Sequence, residues 1–307
     1  MQKRGISVKS LNELITRLEN KSLKKVAVAQ AADKEVMLAV KKARDLNLAS
    51  FILTGSKSKI QHIADEIELD LSEQNQIQMI DCSTEEASPA AVKSVHEGAA
   101  QIVMKGSIDT KTLLTSILNK QYGLRTGNIL SHVALFEVPS QDRLIFLTDS
   151  AMNIAPNLDE KAQIIRNAVD VAVQSGWKLP KVAPLAAVEV VNPAMQATVD
   201  AASLTLMNRR GQIKECIVDG PLAFDNAVNH EAAKQKGIQS DVAGNADVLM
   251  VPTIEVANAL YKSFMYFAEG KVAAVISGAS APVVLTSRSD TAESKVYSLA
   301  LAVHSSK

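Results

Sequence analysis

The sequence predicts an α/β protein built on mostly parallel sheets, and three observations support this fold class. Short apolar runs alternate with amphipathic helices at roughly 25 residues per strand–helix unit, as crossover connections between parallel strands require. Aromatic residues are only 4% of the 307 residues, although 47% are hydrophobic. The core must therefore consist of Ala, Val, Ile and Leu, which is typical of parallel sheets covered by helices. The length fits one large or two medium domains.

The N-terminal part contains four strand–helix units after a first helix that begins near Ser10, which has capping-box spacing to Glu13. In the second helix, apolar residues recur every three or four positions, which predicts one buried face. The residues of that face are Val36, Val40, Ala43 and Leu46. The predicted strands are 25–30, 49–55, 77–82 and 100–106, and the further predicted helices are 57–69, 85–97 and 110–120.

The pattern changes between residues 121 and 150. Two apolar runs, 132–138 and 143–149, are joined by only four residues, 139–142. Because four residues cannot carry a crossover helix, we predict an antiparallel hairpin here and a domain boundary beside it. The alternation then resumes with predicted strands 182–188, 215–218, 245–252, 272–277 and 281–286, and with predicted helices 158–174, 194–209, 255–269 and 291–303.

Charge and metal-ligand spacing argue against several functions. The 33 basic and 33 acidic residues cancel, which disfavours a nucleic-acid partner, and no apolar run approaches the roughly 18 residues of a membrane span.

Cys82 and Cys216 are interpreted as buried thiols in a reducing compartment, and the histidines lack the spacing of a zinc site. The N-terminal segment has no apolar region of the signal-peptide type. We therefore expect a cytoplasmic protein with no nucleic-acid or membrane partner.

Ligands bind at the carboxyl ends of parallel strands, so polar residues just after the predicted strands are candidates for binding. Four places meet this criterion, namely 105–110, 148–153, 219–221 and 278–290. The motifs of a P-loop, a dinucleotide-binding turn and a nucleophile elbow are missing. Asp219 and Asp225 come nearest to a metal-binding cluster, although a single Asp in such a loop more often caps a helix.

The segment SRSD (287–290) has two interpretations. Ser289 or Asp290 caps the last helix, with Glu293 in its first turn. Alternatively, the hydroxyl, guanidinium and helix N–H groups form an anion site. The segment MKGSIDTKT (104–112) has the same order of strand, lysine, glycine, hydroxyls and helix. Two such turns, each leading into a helix, suggest a polyanionic ligand.

Several segments resemble, in the same order, those of the phosphate acetyl/butyryltransferase family. In GASAPVVLTSR (278–288), a Ser-Arg pair precedes the final helix, as in that family. The other segments are MKGSIDTKTLL (104–114), LTDSAMN (147–153), EVVNPAMQATVDAASL (189–204), DGPLAFDNAV (219–228) and NADVLMVPTIEVANALYK (245–262). The resemblance covers at least residues 100–300, and SIDTKT and NPAMQATVDAA are more similar to the butyryl than to the acetyl members.

The resemblance implies a two-domain, three-layer α/β/α fold like that of the isocitrate and isopropylmalate dehydrogenases, with the site in an interdomain cleft. Domain I would comprise 1–130 and 276–307, and domain II would comprise 131–275 and pair the subunits of a homodimer or higher homo-oligomer. The reaction would convert butyryl-CoA or another short-chain acyl-CoA and phosphate into acyl phosphate and CoA. No metal or other cofactor is implied, because coenzyme A is a substrate.

The resemblance also implies roles for residues of the final segment. Ser287 would donate to the oxyanion and Arg288 would hold phosphate. Acetyltransferases have an Asp seven residues after that Ser, where this chain has Ser294. Glu293 or Asp290 takes its role as base for the CoA thiol, or the thiol, with a pKa near ~8.5, ionises without one. We thus expect Ser287, Arg288 and Glu293 to be catalytic. The expected substrate-binding residues are Lys105, Ser107, Thr110, Arg125, Asp149, Asn153, Asp219, Asn258 and Asp290.

Other functions remain open at this point. A phosphate acetyltransferase and a phosphate acyltransferase of lipid synthesis would keep the chemistry and change the acyl length. A metal- and NAD-dependent hydroxyacid dehydrogenase of the same fold would need an aspartate cluster and a dinucleotide loop, which the sequence lacks. A non-catalytic acyl-CoA-binding regulator is disfavoured by the presence of Lys105, Arg125, Ser287 and Arg288. Arg125 is either a solvated loop charge or a ligand for a phosphate of the substrates.

Overall fold

The computed structural model describes residues 8–18, 22–72, 76–285 and 291–306. The chain divides into two compact units. The flanking unit comprises the described residues of Asn12–Asn128 and Ala273–Lys307, and the central unit comprises those of Met1–Leu11 and Ile129–Val272. The sequence placed the corresponding boundaries at 131 and 276 and assigned the whole N-terminus to the flanking unit. In the structure, Leu11 is grouped with the central unit, and its backbone N–H donates to Glu137 Oε2 at 2.7 Å.

The strands of the described residues are short and largely buried. They are β1 (Lys24–Ala29), β2 (Ala49–Gly55), β3 (Ile77–Asp81), β4 (Ile102–Lys105), β5 (Ser131–Glu137), β6 (Ile145–Thr148), β7 (Lys181–Pro184), β8 (Ile217–Val218), β9 (Val248–Met250), β10 (Lys271–Ser277) and β11 (Val283–Val284). Several are shorter than the apolar runs that predicted them, since the runs continue into the adjoining loops.

The helices vary from one turn to almost five. They are α1 (Leu11–Thr16), α2 (Lys34–Asp45), α3 (Lys57–Glu66), α4 (Thr84–His96), α5 (Thr110–Ile117), α6 (Leu158–Gln174), α7 (Gln196–Arg209), α8 (Phe224–Val228), α9 (His230–Gln235), α10 (Ile254–Tyr266) and α11 (Ala292–Ser305). Helices α8 and α9 were not predicted, because each is too short to show a helical period. Leu46 was predicted to be buried and is exposed, since α2 ends at Asp45.

In the flanking unit, the strands follow the order β3–β2–β1–β4–β11–β10. Neighbours from β3 to β11 are parallel, whereas β10 pairs antiparallel with β11 through Ile276 and Val283. The carboxyl ends of β1, β2, β3, β4 and β11 therefore lie at one edge, the flanking edge. Thr286 of the predicted final strand lies outside the described residues.

In the central unit, the order is β5–β6–β9–β7–β8. Strands β5 and β6 pair antiparallel, which confirms the predicted hairpin. The other neighbours are parallel, so the carboxyl ends of β6, β9, β7 and β8 share a second edge, the central edge. No helix of the described residues is long and apolar enough to cross a membrane.

One buried ion pair joins two helices of the central unit. Lys161 of α6 places its Nζ 2.6 Å from Asp200 Oδ2 of α7, and both side chains are almost wholly buried. The Nε2 of Gln196 donates to the other oxygen of Asp200 at 2.8 Å. Because each charge has lost its hydration, removing one partner alone would leave the other uncompensated.

Candidate active site

The flanking edge has a buried lysine at the end of β4. Lys105 is only 5% exposed, and its Nζ lies 3.5 Å from the carbonyl oxygen of Gly106. The next two backbone N–H groups continue the pairing with β1, since Gly106 donates to Ala29 at 2.9 Å and Ser107 donates to Gln30 at 2.8 Å. The turn out of β4 is thus fixed by backbone hydrogen bonds, while the Ser107 side chain is exposed.

Gly106 makes this turn sterically feasible. A Cβ atom at this position would lie 2.0 Å from the carbonyl oxygen of Gln30 and 2.6 Å from that of Ala29. Both are backbone atoms of β1 and of the turn that follows it, so they have little freedom to move. The close approach of two chains excludes any larger residue here.

The helix after this turn begins with a cap at Asp109. Its carboxylate accepts from the backbone N–H of Thr112 at 2.8 Å and from the Thr112 hydroxyl at 2.6 Å. These bonds from Thr112 lower the pKa of Asp109 below its ordinary value. Thr110 is the first residue of α5 and is exposed. The predicted order of strand, lysine, glycine, hydroxyls and helix is therefore observed.

The connection that holds Arg125 lies against the segment before β11. The N–H of Ser280 donates to the carbonyl of Leu124 at 2.9 Å, and the Thr126 hydroxyl donates to the carbonyl of Gly278 at 2.5 Å. Arg125, between these two contacts, is exposed. Two segments that are far apart in the sequence are thereby brought together within the flanking unit.

Three of the predicted residues, Ser287, Arg288 and Asp290, lie outside the described residues. The helix cap expected at Ser289 or Asp290 is wrong, because Thr291 caps α11 and accepts from the N–H of Ser294 at 3.2 Å. Glu293 is exposed in the first turn, as predicted.

Glu293 and Asn12 both contact the same buried hydroxyl. The Tyr297 hydroxyl lies 2.9 Å from Glu293 Oε1 and 2.9 Å from Asn12 Oδ1. A phenol has one proton to donate, so it bonds one of these acceptors at a time. The carboxylate of Glu293 is therefore within reach of a proton donor of the chain itself.

The central edge is organised by the carboxylate of Asp149, directly after β6. Asp149 is 3% exposed. Its Oδ1 accepts from the backbone N–H groups of His132, Ala151 and Met152 at 3.0–3.1 Å. Its Oδ2 accepts from the backbone N–H and the side-chain Nδ2 of Asn153 at 3.1 and 2.6 Å. Among the described residues, the Asp149 carboxylate is therefore the group that fixes this turn, because the backbone N–H groups of residues 151–153 all donate to it.

A buried serine–histidine pair lies next to this carboxylate. Ser150 Oγ and His132 Nδ1 are 2.7 Å apart, and both residues are buried. The His132 ring also lies against Tyr261 of α10, with 6.1 Å between ring centroids. Sequence reasoning missed His132, because it precedes Ser150 by 18 positions and only the β5–β6 pairing brings the two together.

Two other predicted residues of the central unit, Asp219 and Asn258, make no hydrogen bond or ion pair with each other or with Asp149 and Asn153. Asp219 follows β8, is half-buried, and has Arg209 Nη2 3.9 Å from its Oδ1. Asn258 is exposed on α10. The described residues contain no group of three or more His, Cys, Asp or Glu side chains placed to hold a metal ion.

A polar cluster that the sequence did not reveal joins the loop after β7 to α8 and α9. Glu189 accepts from Lys236 Nζ at 2.9 Å and from Asn226 Nδ2 at 3.2 Å. The hydrogen bond from Lys236 lowers the pKa of Glu189, and the same bond raises the pKa of Lys236. The available signals were the segments EVVNPAMQATVDAASL and DGPLAFDNAV, which contain Glu189 and Asn226 without indicating that the two side chains meet.

The family model described as "Phosphate acetyl/butaryl transferase" matches residues 75–303. The chain belongs to the phosphate acetyl/butyryl transferase family. The resemblance stated from the motifs is thereby confirmed, and the protein is an acyltransferase that acts on acyl-CoA and phosphate.

Two curated relatives and one solved structure define the similarity further. The chain is 53% identical to the probable phosphate butyryltransferase of Bacillus subtilis (strain 168), over 97% of this chain and 98% of that one. It is 46% identical to the phosphate acetyltransferase of Thermotoga maritima, over 95% and 98%. A branched-chain phosphotransacylase of Enterococcus faecalis V583 superposes with a TM-score of 0.81 at 38% identity, over 92% and 99%. The predicted α/β fold of this acyltransferase is thus confirmed.

Proposed function

We propose that this acyltransferase converts butyryl-CoA and phosphate into butyryl phosphate and CoA, reversibly. The 53% identity to a probable phosphate butyryltransferase over almost the whole of both chains is the observation that supports it. The test is the release of free thiol from butyryl-CoA with and without phosphate. Release that depends on phosphate supports the proposal. Turnover of a hydroxyacid with NAD, and none of butyryl-CoA, would contradict it.

The proposed reaction is a direct displacement. A phosphate oxygen attacks the thioester carbonyl, the carbon–sulfur bond breaks, and its electron pair leaves on the CoA sulfur, which then takes a proton. The tetrahedral oxyanion needs donors, for which we propose Ser287 and the N–H groups near the start of α11. Arg288 and Lys105 would hold the phosphate by charge-assisted hydrogen bonds. No covalent enzyme intermediate and no resident cofactor are part of this proposal, because a thiolate is an adequate leaving group.

The proton of the CoA thiol has two proposed routes in the reverse direction. Glu293 accepts it as a base, with Asp290 as the alternative, or the thiol ionises in solution because its pKa is near ~8.5. Glu293→Gln distinguishes them. A loss of at least about tenfold in kcat with an altered pH profile supports the base, since general bases contribute about 10²–10⁴-fold. An unchanged pH profile in both Glu293→Gln and Asp290→Asn supports ionisation in solution.

Arg288 is the residue on which the proposal depends most. Arg288→Ala should raise the KM for phosphate or abolish kcat, while the melting temperature changes little. Arg288→Lys should restore only part of the activity, because an ammonium lacks the planar fork of a guanidinium. An unaltered kcat/KM in Arg288→Ala would contradict the phosphate-binding role.

We propose that Arg125 binds a phosphate group of CoA or of the acyl phosphate. Its exposed position, on a connection tied to residues 278–280, supports this assignment. Arg125→Ala should weaken CoA binding, and the loss should shrink as salt is added, because salt screens exposed charges. A loss that does not depend on salt would contradict it.

The preferred acyl length is proposed to be four or five carbons. Exposed apolar side chains follow the strands of the central edge, among them Ile154 after β6, Val190 after β7 and Phe224 after β8. Such side chains suit a short apolar chain, and one methylene is worth about 1–3 kcal/mol in an apolar pocket. We expect acetyl-CoA to be at least about tenfold worse than butyryl-CoA in kcat/KM. If acetyl-CoA is best, the enzyme is a phosphate acetyltransferase. If only long chains react, it serves lipid synthesis.

We also propose a cytoplasmic homodimer or higher homo-oligomer. The central unit exposes two aromatic side chains at the end of α10, Tyr266 and Phe267, the latter 90% exposed. Aromatic side chains are enriched at interfaces between subunits. Light scattering should give at least twice the monomer mass of 32.9 kDa, and Phe267→Glu should lower it. The free thiols of Cys82 and Cys216 fit a reducing compartment.

A further inference from the structure

We propose that Asn153 Oδ1 is a fixed hydrogen-bond acceptor for an amide N–H of the pantetheine arm of CoA, and that Asp149 acts as its positioning residue. This inference rests on the proposed function, because it assigns a part of the substrate to the central edge. It divides the roles of two residues that the sequence had grouped together as substrate ligands.

The orientation of the Asn153 carboxamide follows from its partners. One neighbour is the carbonyl oxygen of Leu130, 2.8 Å from Nδ2, and the other is Asp149 Oδ2, 2.6 Å from Nδ2. A backbone carbonyl can only accept, and the carboxylate of Asp149 is surrounded by N–H donors. The group that faces both must be the NH₂. The oxygen of the carboxamide is therefore turned away from both.

The Oδ1 atom of Asn153 is available to a ligand. Oδ1 accepts no hydrogen bond from the described residues, and Asn153 is only half-buried. An acceptor that is already oriented binds a donor at a lower entropic cost than a mobile side chain does. Asn153 lies five residues past the end of β6, at the edge where parallel sheets bind ligands.

Asp149 is a poor ligand for the substrate by the same reasoning. Both of its oxygens are occupied by N–H groups of the chain, and the residue is almost wholly buried. A carboxylate has about four lone-pair positions, so no favourable place remains for another donor. Its effect on substrate must pass through the turn that it holds, and through Asn153 in particular.

The chemistry of the acceptor selects among the groups of the substrates. Phosphate and the phosphoryl groups of CoA present mainly acceptor oxygens, which a carbonyl oxygen beside a carboxylate repels. The donors of acyl-CoA are the two amide N–H groups and the hydroxyl of the pantetheine arm, the 2′-hydroxyl of the ribose and the amino group of adenine. The amides of the arm have a fixed planar geometry that matches a fixed acceptor.

The test compares Asn153→Ala with Asn167→Ala. Asn167 is a matched control, because its Nδ2 also donates two bonds, to Ile129 O at 3.0 Å and to Ser131 Oγ at 2.8 Å, in the same unit. We expect Asn153→Ala to weaken CoA binding by about five- to tenfold, the value of one hydrogen bond. The KM for phosphate should change by less than about twofold. Asn167→Ala should lower stability and leave both constants unchanged.

A second ligand locates the donor within CoA. Adenosine 3′,5′-bisphosphate carries the nucleotide end of CoA without the arm, so its inhibition constant should be the same in wild type and Asn153→Ala. An equal loss for this ligand would overturn the assignment to the arm. Equal losses for CoA and phosphate would overturn it too, because they would indicate general damage to the turn.

The positioning role of Asp149 has its own readout. If Asp149 acts through Asn153, then Asp149→Asn combined with Asn153→Ala binds CoA no more weakly than Asn153→Ala alone. Additive losses would overturn the positioning role. Calorimetry measures CoA binding without turnover, so these outcomes stand apart from the activity assay. An absence of phosphate-dependent thiol release in the wild type would contradict the proposed function alone.

Discussion

The turns after β4 and β6 occupy the same place in their respective units, and they are held in different ways. The turn after β4 closes by backbone pairing with β1, which requires that Gly106 carry no side chain. The turn after β6 closes around the carboxylate of Asp149, which requires one specific side chain.

The difference determines what each turn presents to a ligand. The flanking turn presents a buried cation, exposed hydroxyls and a helix start, which favour anions. The central turn presents a carboxamide oxygen beside a carboxylate, which favours neutral N–H donors. The two turns therefore differ in the kind of ligand group that each favours.

Gly106→Ala should have the largest effect. The added Cβ would overlap backbone oxygens of Ala29 and Gln30, and relieving the overlap must separate β4 from β1. We expect a loss of about 3 kcal/mol or more in the free energy of unfolding, or no folded protein. Denaturant titration measures it.

Gly127→Ala is the control for that substitution. Gly127 has a φ of +89° and open space around the Cβ position. It should cost only the left-handed backbone penalty of about 1–2 kcal/mol. Equal losses for both variants would show that crowding at Gly106 is unimportant.

Asp149→Asn tests the central turn. A carboxamide would place an NH₂ group against N–H donors, which leaves some of them unpaired. We expect a loss of about 1–3 kcal/mol, measured by denaturant titration.

Asp109→Asn is the matched change in the flanking turn and should alter stability little, because Asn caps helices about as well as Asp. It should also remove a pH dependence. Bonds from Thr112 hold the pKa of Asp109 low, so the stabilisation is present above the unfolded pKa and lost as pH falls through the folded one. If Asp109→Asn lowered the free energy of unfolding as much as Asp149→Asn does, the proposed difference between the two turns would be wrong.

Lys105→Met tests the charge of the flanking turn. If Lys105 holds phosphate, kcat/KM for phosphate should fall by roughly 10–150-fold, the value of a hydrogen bond to a charged group. The exposed Lys111 of α5 is the control, and Lys111→Met should leave the rates unchanged. A loss confined to the KM for butyryl-CoA would assign Lys105 to CoA instead.

The smallest expected effect concerns the cysteines. The thiols of the two units should differ in the rate at which they react with a disulfide reagent. Burial raises the pKa of Cys216 in the central unit to about 12, and burial also raises the pKa of the half-buried Cys82 in the flanking unit. Because the thiolate is the reactive form, Cys82→Ser should leave a native protein that scarcely reacts with a disulfide reagent at pH 8. Rapid reaction before unfolding would contradict this.

Much of the fold was predictable because its signals are local. The apolar runs predicted β2 and the hairpin of β5 and β6, and the sequence pattern predicted the helix over Leu158–Gln174 that the structure has as α6. The ends of short strands were less predictable. β7 stops at Pro184, although the apolar run continues to 188, because apolar residues in a loop and in a strand look alike in sequence.

The sequence predicted where residues of the candidate site lie better than it predicted what each of them does. Strand ends pointed to Lys105 and Asp149, and both lie there. The sequence did not show that N–H groups of its own turn would surround Asp149. An aspartate that binds substrate and an aspartate that organises a loop cannot be distinguished in a sequence.

By itself, the sequence determined the α/β class, the order of most elements and the family, since periodicity and motifs are properties of neighbouring residues. Only the tertiary structure decided which polar groups meet. His132 reaches Ser150 across 18 positions, and Lys161 reaches Asp200 across 39. The physical reason is that burial makes an unpaired polar group costly, and the partner that satisfies it is supplied by packing rather than by adjacency in the chain.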